Sequence, residues 1–428
     1  MSVVQFVFAA TAATIVSGAI AERCQFFAYF AYSIILTGWV YPPVSHWAWD
    51  STGWLNQTGL YLDFAGSGVV HVSSRQQKCF VTEHVGQLLG ATCAIVGCYF
   101  IKPRRGRFTT TGNPIDMPGH SVPLAGLGGF ILIFGFLAFN GGSQTQISAA
   151  GDGSVVALAI VNTILGAATG GMTVLFVNKF GLQQPWSFLM TLNGALAGMV
   201  ALCAGCNLYE PWAALIVGGL GGLFFMVIHF GMLKCRLDDP LDAVGVHGGG
   251  GLAGLLCVPW FMYVNLEPGQ RGIFWDGHTS HPWLVLAHQI GGGLAITAWA
   301  FFWSLVLFGS LKLARILRVG TEDEFKGMDL IKHGESAYPA DAWVEYQYSK
   351  KSSQGGLPAN MGGNIGAQIS ASGEVEKKDA NSKDYNNPFE MMPMAGMLFR
   401  QTSSAFIGAA NINSEGASHK VLDCSGKV

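Results

Sequence analysis

Long apolar runs separated by short polar connections set the rhythm of this chain. They fall at about 2–20, 26–41, 122–139, 155–177, 187–204, 212–232, 241–264 and 283–311. Each is long enough to predict a helix that crosses a bilayer. A ninth run, 64–101, is interrupted by polar residues. The first run has no basic stretch before it, so it predicts a span rather than a cleaved leader. The pattern predicts an all-α polytopic membrane protein of nine spans. From Arg318 onward the apolar runs stop. We expect a transmembrane domain over 1–317, an ordered juxtamembrane segment over 318–344, and a disordered tail over 345–428, where Ser, Gly, Asn and Lys dominate.

The connections alternate in charge. Arg23, Lys102 to Arg107, Lys179, Lys234 to Arg236 and Lys312 to Arg318 fall on one side. Loops 42–62, 140–154 and 206–211 carry no Lys or Arg, and 265–282 carries only Arg271. The positive-inside rule then puts the N-terminus outside and the tail in the cytosol, most simply of a plasma-membrane protein. An odd number of spans satisfies that topology. Asn56-Gln57-Thr58 is an N-glycosylation sequon in a loop assigned to the outside.

Composition narrows the classes. Of 428 residues, 50% are hydrophobic and only 12% charged, about half the charged share of a soluble domain. A net charge of −2 gives no footprint for nucleic acid. Nine cysteines, scattered through apolar runs, do not form a disulfide framework, and Cys203-x-x-Cys206 lacks a second pair to complete a metal site. No nucleophile–base set is apparent, so neither an enzyme nor a cofactor is expected. The glycine clusters 126–129, 218–222 and 248–251 lie inside spanning runs. There, small residues let helix backbones approach, whereas a dinucleotide loop needs a strand before it.

Ionisable rings at bilayer depth mark pathways or relays. His71 and His247 stand in glycine-rich apolar runs, Asp63-Phe-Ala-Gly-Ser-Gly-Val-Val-His71 and Asp242-Ala-Val-Gly-Val-His247. A neutral imidazole donates from one nitrogen and accepts at the other. Two such rings line a path suited to a small neutral polar molecule, or hand a proton between them; the alternative is two satisfied interhelical histidines. His229 and His288 lack the neighbouring pattern and read as packing. Asp63 either caps the following helix or draws cations to an entrance. Trp47, Trp49 and Trp54, with Phe8 and Phe139, could form an aromatic cage for a cation or anchor the chain at the membrane interface.

Several motifs sort these alternatives. Gly18-Ala-Ile-Ala-Glu-Arg23, Tyr41-Pro-Pro, Asp63-Phe-Ala-Gly66, Phe139-Asn-Gly-Gly-Ser143, Asp238-Asp-Pro-Leu-Asp-Ala-Val-Gly-Val-His247-Gly and His333-Gly-Glu-Ser-Ala-Tyr338 resemble, in order, those of the ammonium transporter (Amt/Rh) family, and of its Amt branch more than its Rh branch. The resemblance covers about 4–340. It implies a trimer with one pore per subunit, each built from two inverted five-helix halves and a last helix. It implies that Phe8 and Phe139 are the stacked phenyl gate, and that Trp49, Phe8 and Ser143 take up ammonium or methylammonium outside. His71 and His247 are then the twin pore histidines, and Asp63 the acidic residue near the entrance.

Two departures qualify the resemblance. The family has eleven spanning helices, and position 1 here falls at the third. After His71, the stretch Val72 to Gln87 carries Arg75, Lys78 and Glu83. At roughly 2.5–3.5 kcal/mol each, charges at mid-membrane do not fit a span. The stretch reads as a translated short intron or as a looped-out insertion, leaving Leu88–Ile101 alone too short to cross. The sequence therefore points to ammonium or ammonia transport, with a non-conducting ammonium sensor or regulatory trimer subunit as the competing class.

Overall fold

A computed structural model describes residues 3–64, 84–144, 147–264 and 266–335. His71, the interruption from 72 to 83, and the tail expectation for 345–428 lie outside the described residues. The elements are α1 (Val3–Ala19), α2 (Phe26–Ile35), α3 (Tyr41–Trp49), α4 (Trp54–Gln57), α5 (His84–Ile101), α6 (Val122–Gly142) and α7 (Asp152–Phe176). There follow α8 (Phe188–Leu202), α9 (Pro211–Lys234), α10 (Gly250–Phe261), α11 (Ile273–Asp276), α12 (His281–Leu313), α13 (Thr321–Lys326) and α14 (Met328–His333). Among the described residues there is no extended strand, only two isolated bridges. The protein is an all-α polytopic membrane protein. Among the described residues, five helical stretches are long and apolar enough to cross a membrane. Their surfaces expose large apolar side chains such as Phe130, Phe134 and Leu294, as a lipid-facing surface does and a water-facing one rarely does.

Each of the nine apolar runs carries a helix. The second becomes one continuous rod, because a π-helical segment, Leu36–Val40, joins α2 to α3 across Pro42 and Pro43. One expectation is corrected. His84 to Gln87, assigned to the interruption, form the first turn of α5, and Gln87 is buried. With those residues the helix has 18 residues, about 27 Å at 1.5 Å per residue, close to the roughly 30 Å of a hydrocarbon core. The apolar pattern had placed the helix start too late because His84 and Gln87 are polar.

Two packed groups make the core. In one, side chains of α1, α2, α3, α5 and α12 share a cluster that includes Ile15, Val16, Tyr32, Leu89, Ala300 and Phe308. Close approach is enforced at Gly90, where a Cβ would stand 2.9 Å from Ile15 Cδ1, and at Gly97, where it would meet Ile20 and Phe308 at 3.2 Å. In the other group α7, α8 and α9 cross on backbone-to-backbone contacts. A Cβ on Gly198 would lie 2.2 Å from the Gly166 carbonyl oxygen, one on Gly218 2.4 Å from Gly166 Cα, and one on Gly222 2.7 Å from the Gly170 oxygen. The glycine clusters thus serve helix packing, as read from the sequence, although Gly128 faces open space.

Polar contacts sort the connections into two ends. At one, Arg104 makes a two-pronged pair with Asp238, Nε to Oδ2 at 2.8 Å and Nη2 to Oδ1 at 3.0 Å, and also reaches Glu22 at 2.9 Å. Arg23 donates to the Asp238 carbonyl at 2.7 Å. Arg318 binds Glu324 and the carbonyls of Ile101 and Pro103. At the other end, Phe64 N donates to Ala204 O and Tyr263 N to Leu208 O. The connections around Arg23, Lys102–Arg107, Lys234–Asp238 and Lys312–Arg318 therefore meet at one end, and part of the basic-poor set meets at the other.

Candidate functional site: a pore between two helix groups

The element carrying His247 lies between the two groups. A π-helical segment, Val244–Gly249, continues directly into α10. Asp239 lies in the preceding loop, and its Oδ2 accepts from Val244 N at 2.7 Å and so satisfies a first-turn amide. Burial, with Asp242 close by, pushes the Asp239 carboxyl up to about 7. The four glycines after His247 face different helices. A Cβ on Gly248 would lie 3.2 Å from Ala91 Cβ of α5, one on Gly249 2.8 Å from Phe225 N of α9, and one on Gly250 2.6 Å from Ala197 O of α8. A Cβ on Gly251 would lie 3.7 Å from Gln87 Cβ of α5. Any larger side chain at 249 or 250 would drive backbones apart. The quartet thus sets His247 at a crossing of three helices, partly open rather than sealed in the core.

His247 Nδ1 and Gln87 Oε1 are hydrogen-bond partners. Gln87 had been assigned to the interruption, so sequence reasoning missed this contact. The signal was a lone amide in an otherwise apolar run, Val85-Gly-Gln-Leu-Leu-Gly90, since such a group needs a buried partner.

Phe8 and Phe139 meet with ring centroids 4.4 Å apart at an interplanar angle of 74°. The contact is edge-to-face. It lets the positive edge of one ring sit on the negative face of the other. Trp49 is buried in the same apolar cluster as Phe8, with Phe139 against it. Its indole Nε1 has no hydrogen-bond partner among the described residues. One turn beyond Phe139, the Ser143 hydroxyl donates to the Phe139 carbonyl at 2.8 Å. With its proton so used, Ser143 Oγ offers only lone pairs, which suits a cationic donor. The tryptophans divide: Trp47 packs on Trp54 and Trp299, and Trp54 is half exposed, as belt residues are.

Asp63 is fully buried beside Leu62 and Phe64, which is compatible with the capping alternative. Other positions differ from expectation. His229, read as packing, pairs with Asp242 at 2.6 Å, and Asn193 donates to the same carboxylate at 3.3 Å. The sequence hid this because Asp242 is thirteen residues away on another element. His288 keeps a local bond to the Leu284 carbonyl. The sequon's Asn56 lies in α4, and its amide donates to Asp50 O at 3.0 Å, so glycan attachment would require that bond to open. Among the described residues no three His, Cys, Asp or Glu side chains form a metal site.

The family profile described as Ammonium Transporter Family matches residues 1–338. The chain belongs to the ammonium transporter family. Among its family relatives, "Putative ammonium transporter 1" of Caenorhabditis elegans is 41% identical over 365 residues, covering 81% of this chain and 65% of the relative. "Ammonium transporter 1 member 1" of Arabidopsis thaliana is 38% identical, covering 78% of this chain and 67% of the relative. The chain thus spans about two thirds of the length of these curated relatives. Solved structures of similar fold include "Sensor Amt Protein", at TM-score 0.65 and 31% identity over 77% of this chain and 75% of that one. Another is the crystal structure of Candida albicans Mep2, at TM-score 0.62 and 25% identity over 74% and 65%.

Proposed function

We propose that this ammonium-transporter-family protein moves ammonium or ammonia, and methylammonium as an analogue, across the plasma membrane as a homotrimer with one pore per subunit. The observation that carries the reading is the position of His247. Its ring lies partly open at the crossing of three helices, on an element packed between two helix groups. In this mechanism Trp49, Phe8 and Ser143 hold the cation at the outer mouth by ring-face attraction and a hydroxyl acceptor. Ammonium gives up its proton to outside water at the mouth above the Phe8–Phe139 pair, and ammonia passes His247, with His71 as the second pore histidine. An uncharged molecule avoids the desolvation that a cation would meet in an apolar lumen. Asp63 holds the outer mouth together and adds a negative field to it. The tail is cytosolic.

Labelled methylammonium uptake by cells lacking their own carriers tests this. We expect saturable uptake that ammonium competes away and that His247→Ala abolishes while surface protein persists. A chain that reaches the surface and takes up nothing refutes transport. The likeness to a solved structure titled as a sensor favours a second reading, in which the subunit binds ammonium without conducting it. Ammonium-dependent quenching of Trp49 fluorescence without uptake is its signature.

A further inference from the structure

We propose that the adjoining ends of α5 and α12 form a binding site for one anionic phospholipid. Lys102, Lys312 and Arg315 hold its headgroup phosphate, and a row of side chains along α12 carries an acyl chain. The site is separate from the pore and does not depend on how the pore is read.

The backbone gives the first observation. A helix often ends through a residue in the left-handed conformation, which glycine adopts without strain. At the ends of α5 and α12 the chain places cations there instead, Lys102 with φ +71° and Arg315 with φ +58°. Lys102 N donates to the Cys98 carbonyl at 3.1 Å, and Ile316 N reaches back to the Leu311 carbonyl at 3.1 Å. Both are closed C-terminal turns that a glycine would serve with less strain. Cations kept against the backbone's preference point to a task for their side chains.

The side chains give the second. Lys102 Nζ lies 4.7 Å from the Tyr99 ring centroid and Lys312 Nζ 5.6 Å from that of Phe100. Those two rings are 5.5 Å apart. Phe100 rests on α12 at Gly309, where a Cβ would stand 3.7 Å from its Cζ, so the two helix ends lie side by side. Arg318 donates to the carbonyls of Ile101 and Pro103, and Arg23 to that of Lys102, which fixes the backbone under Lys102. All three cations are exposed, and among the described residues none makes an ion pair. Glu324, which Arg318 ties to the same corner, is already engaged by Arg105 and Arg318. Neighbouring cations repel, and an anion held between them removes that cost.

The third observation separates a lipid from a free anion. Phe302, Val306 and Leu313 are exposed, and their i, i+4, i+11 spacing puts them on one face of α12 with Gly309. Basic groups at the end of an apolar, membrane-facing row match a phosphate followed by hydrocarbon.

Purified full-length protein in neutral detergent tests this with phosphatidylserine, phosphatidylcholine of the same chains, and inorganic phosphate. Native mass spectrometry reads lipid binding, and thermal unfolding reads its effect. Phosphatidylserine should bind at least tenfold more tightly than phosphatidylcholine and raise the melting temperature. Lys102→Gly and Arg315→Gly should melt no lower than the parent without lipid, and each should lose at least fivefold of that preference, as should Lys312→Gln. Lys179→Gln, which removes another lysine lying over a ring, Trp186, should leave it unchanged. If the glycine variants do not fold, Lys312→Gln and Lys102→Gln carry the test. Equal binding of the two lipids overturns the proposal, as does a loss in Lys179→Gln as large as in Lys312→Gln. So does a melting shift reproduced by inorganic phosphate alone. Glycine variants that melt below the parent yet keep the full preference make Lys102 and Arg315 capping residues, and the proposal fails.

Discussion

Arg104→Ala should be among the most damaging single changes at the predicted cytosolic end. The guanidinium is 8% exposed and its partner Asp238 only 1%. Arg104 supplies two side-chain hydrogen bonds to that carboxylate and a third from its own backbone N at 2.9 Å. Removing the side chain leaves a buried anion with Arg107 Nε at 3.2 Å as the remaining side-chain donor. Breaking a buried pair from one side costs about 3–5 kcal/mol. The residual Arg107 contact places the expected loss near the lower end, about 3 kcal/mol. Thermal unfolding in detergent, followed by size-exclusion fluorescence, gives the ranking: Arg104→Ala well below parent, Arg104→Lys between them, since an ammonium keeps charge but not the fork. The double variant with Asp238→Ala should be less damaging than the sum of the two singles, because the second change removes the stranded charge. Additive losses would refute the pairing argument. Burial raises the Asp238 carboxyl, but hydrogen bonds from Arg104 and the neighbouring guanidinium charges outweigh it, so its pKa lies below the ordinary value. The contribution is therefore present above about pH 4 and is lost as pH falls through the depressed value. The parent should lose more stability than the double variant between pH 5 and acid.

Trp49→Leu removes a ring face while keeping apolar bulk, so half-saturation for methylammonium should rise roughly tenfold, about 1.4 kcal/mol; an unchanged value reduces Trp49 to packing. Cutting the chain after Arg318 removes Thr321 and Glu324, which tie α13 to Arg105 and Arg318, and should weaken uptake. Cutting after Lys350 should not, and equal rates for the two truncations remove the role of α13. Gly198→Ala places a methyl 2.2 Å from the Gly166 oxygen, so surface protein should fall several-fold, whereas Gly128→Ala, which meets open space, should be neutral. Comparable surface levels for the two would undo the backbone-crossing account of α7 and α8.

The helices were legible because each buries or exposes a long apolar run, and length alone decides that. Their ends were less so. α5 begins at a polar turn whose partner, His247, is 160 residues away, and hydropathy carries no record of such a pairing. The same limit hid His229–Asp242. The aromatic site was half legible. Phe8, Trp49 and Phe139 came from the family resemblance, but the separation of buried Trp49 from belt-like Trp47 and Trp54 depends on which way neighbouring helical positions face. Ser143 was read as an acceptor, and the bond to Phe139 O that fixes it as one is a local consequence of helical i to i+4 spacing.

The two helix groups differ in how their members are spread along the chain. α7, α8 and α9 are consecutive, so their glycine crossings can close as soon as residue 234 has left the ribosome. The other group cannot close then. Its cluster needs Ile296, Ala300, Leu307 and Phe308 from α12 to cover α1, α2 and α5, and these emerge some three hundred residues after the first helix. Contacts so distant in sequence are slow to form and leave apolar surface exposed in the interval. During synthesis, then, one side of the bundle waits as an incomplete shell until its last helix arrives. A premature stop between α9 and α12 would yield a chain with the α7, α8 and α9 crossings made and the other group unfinished, the kind of product that membrane quality control removes.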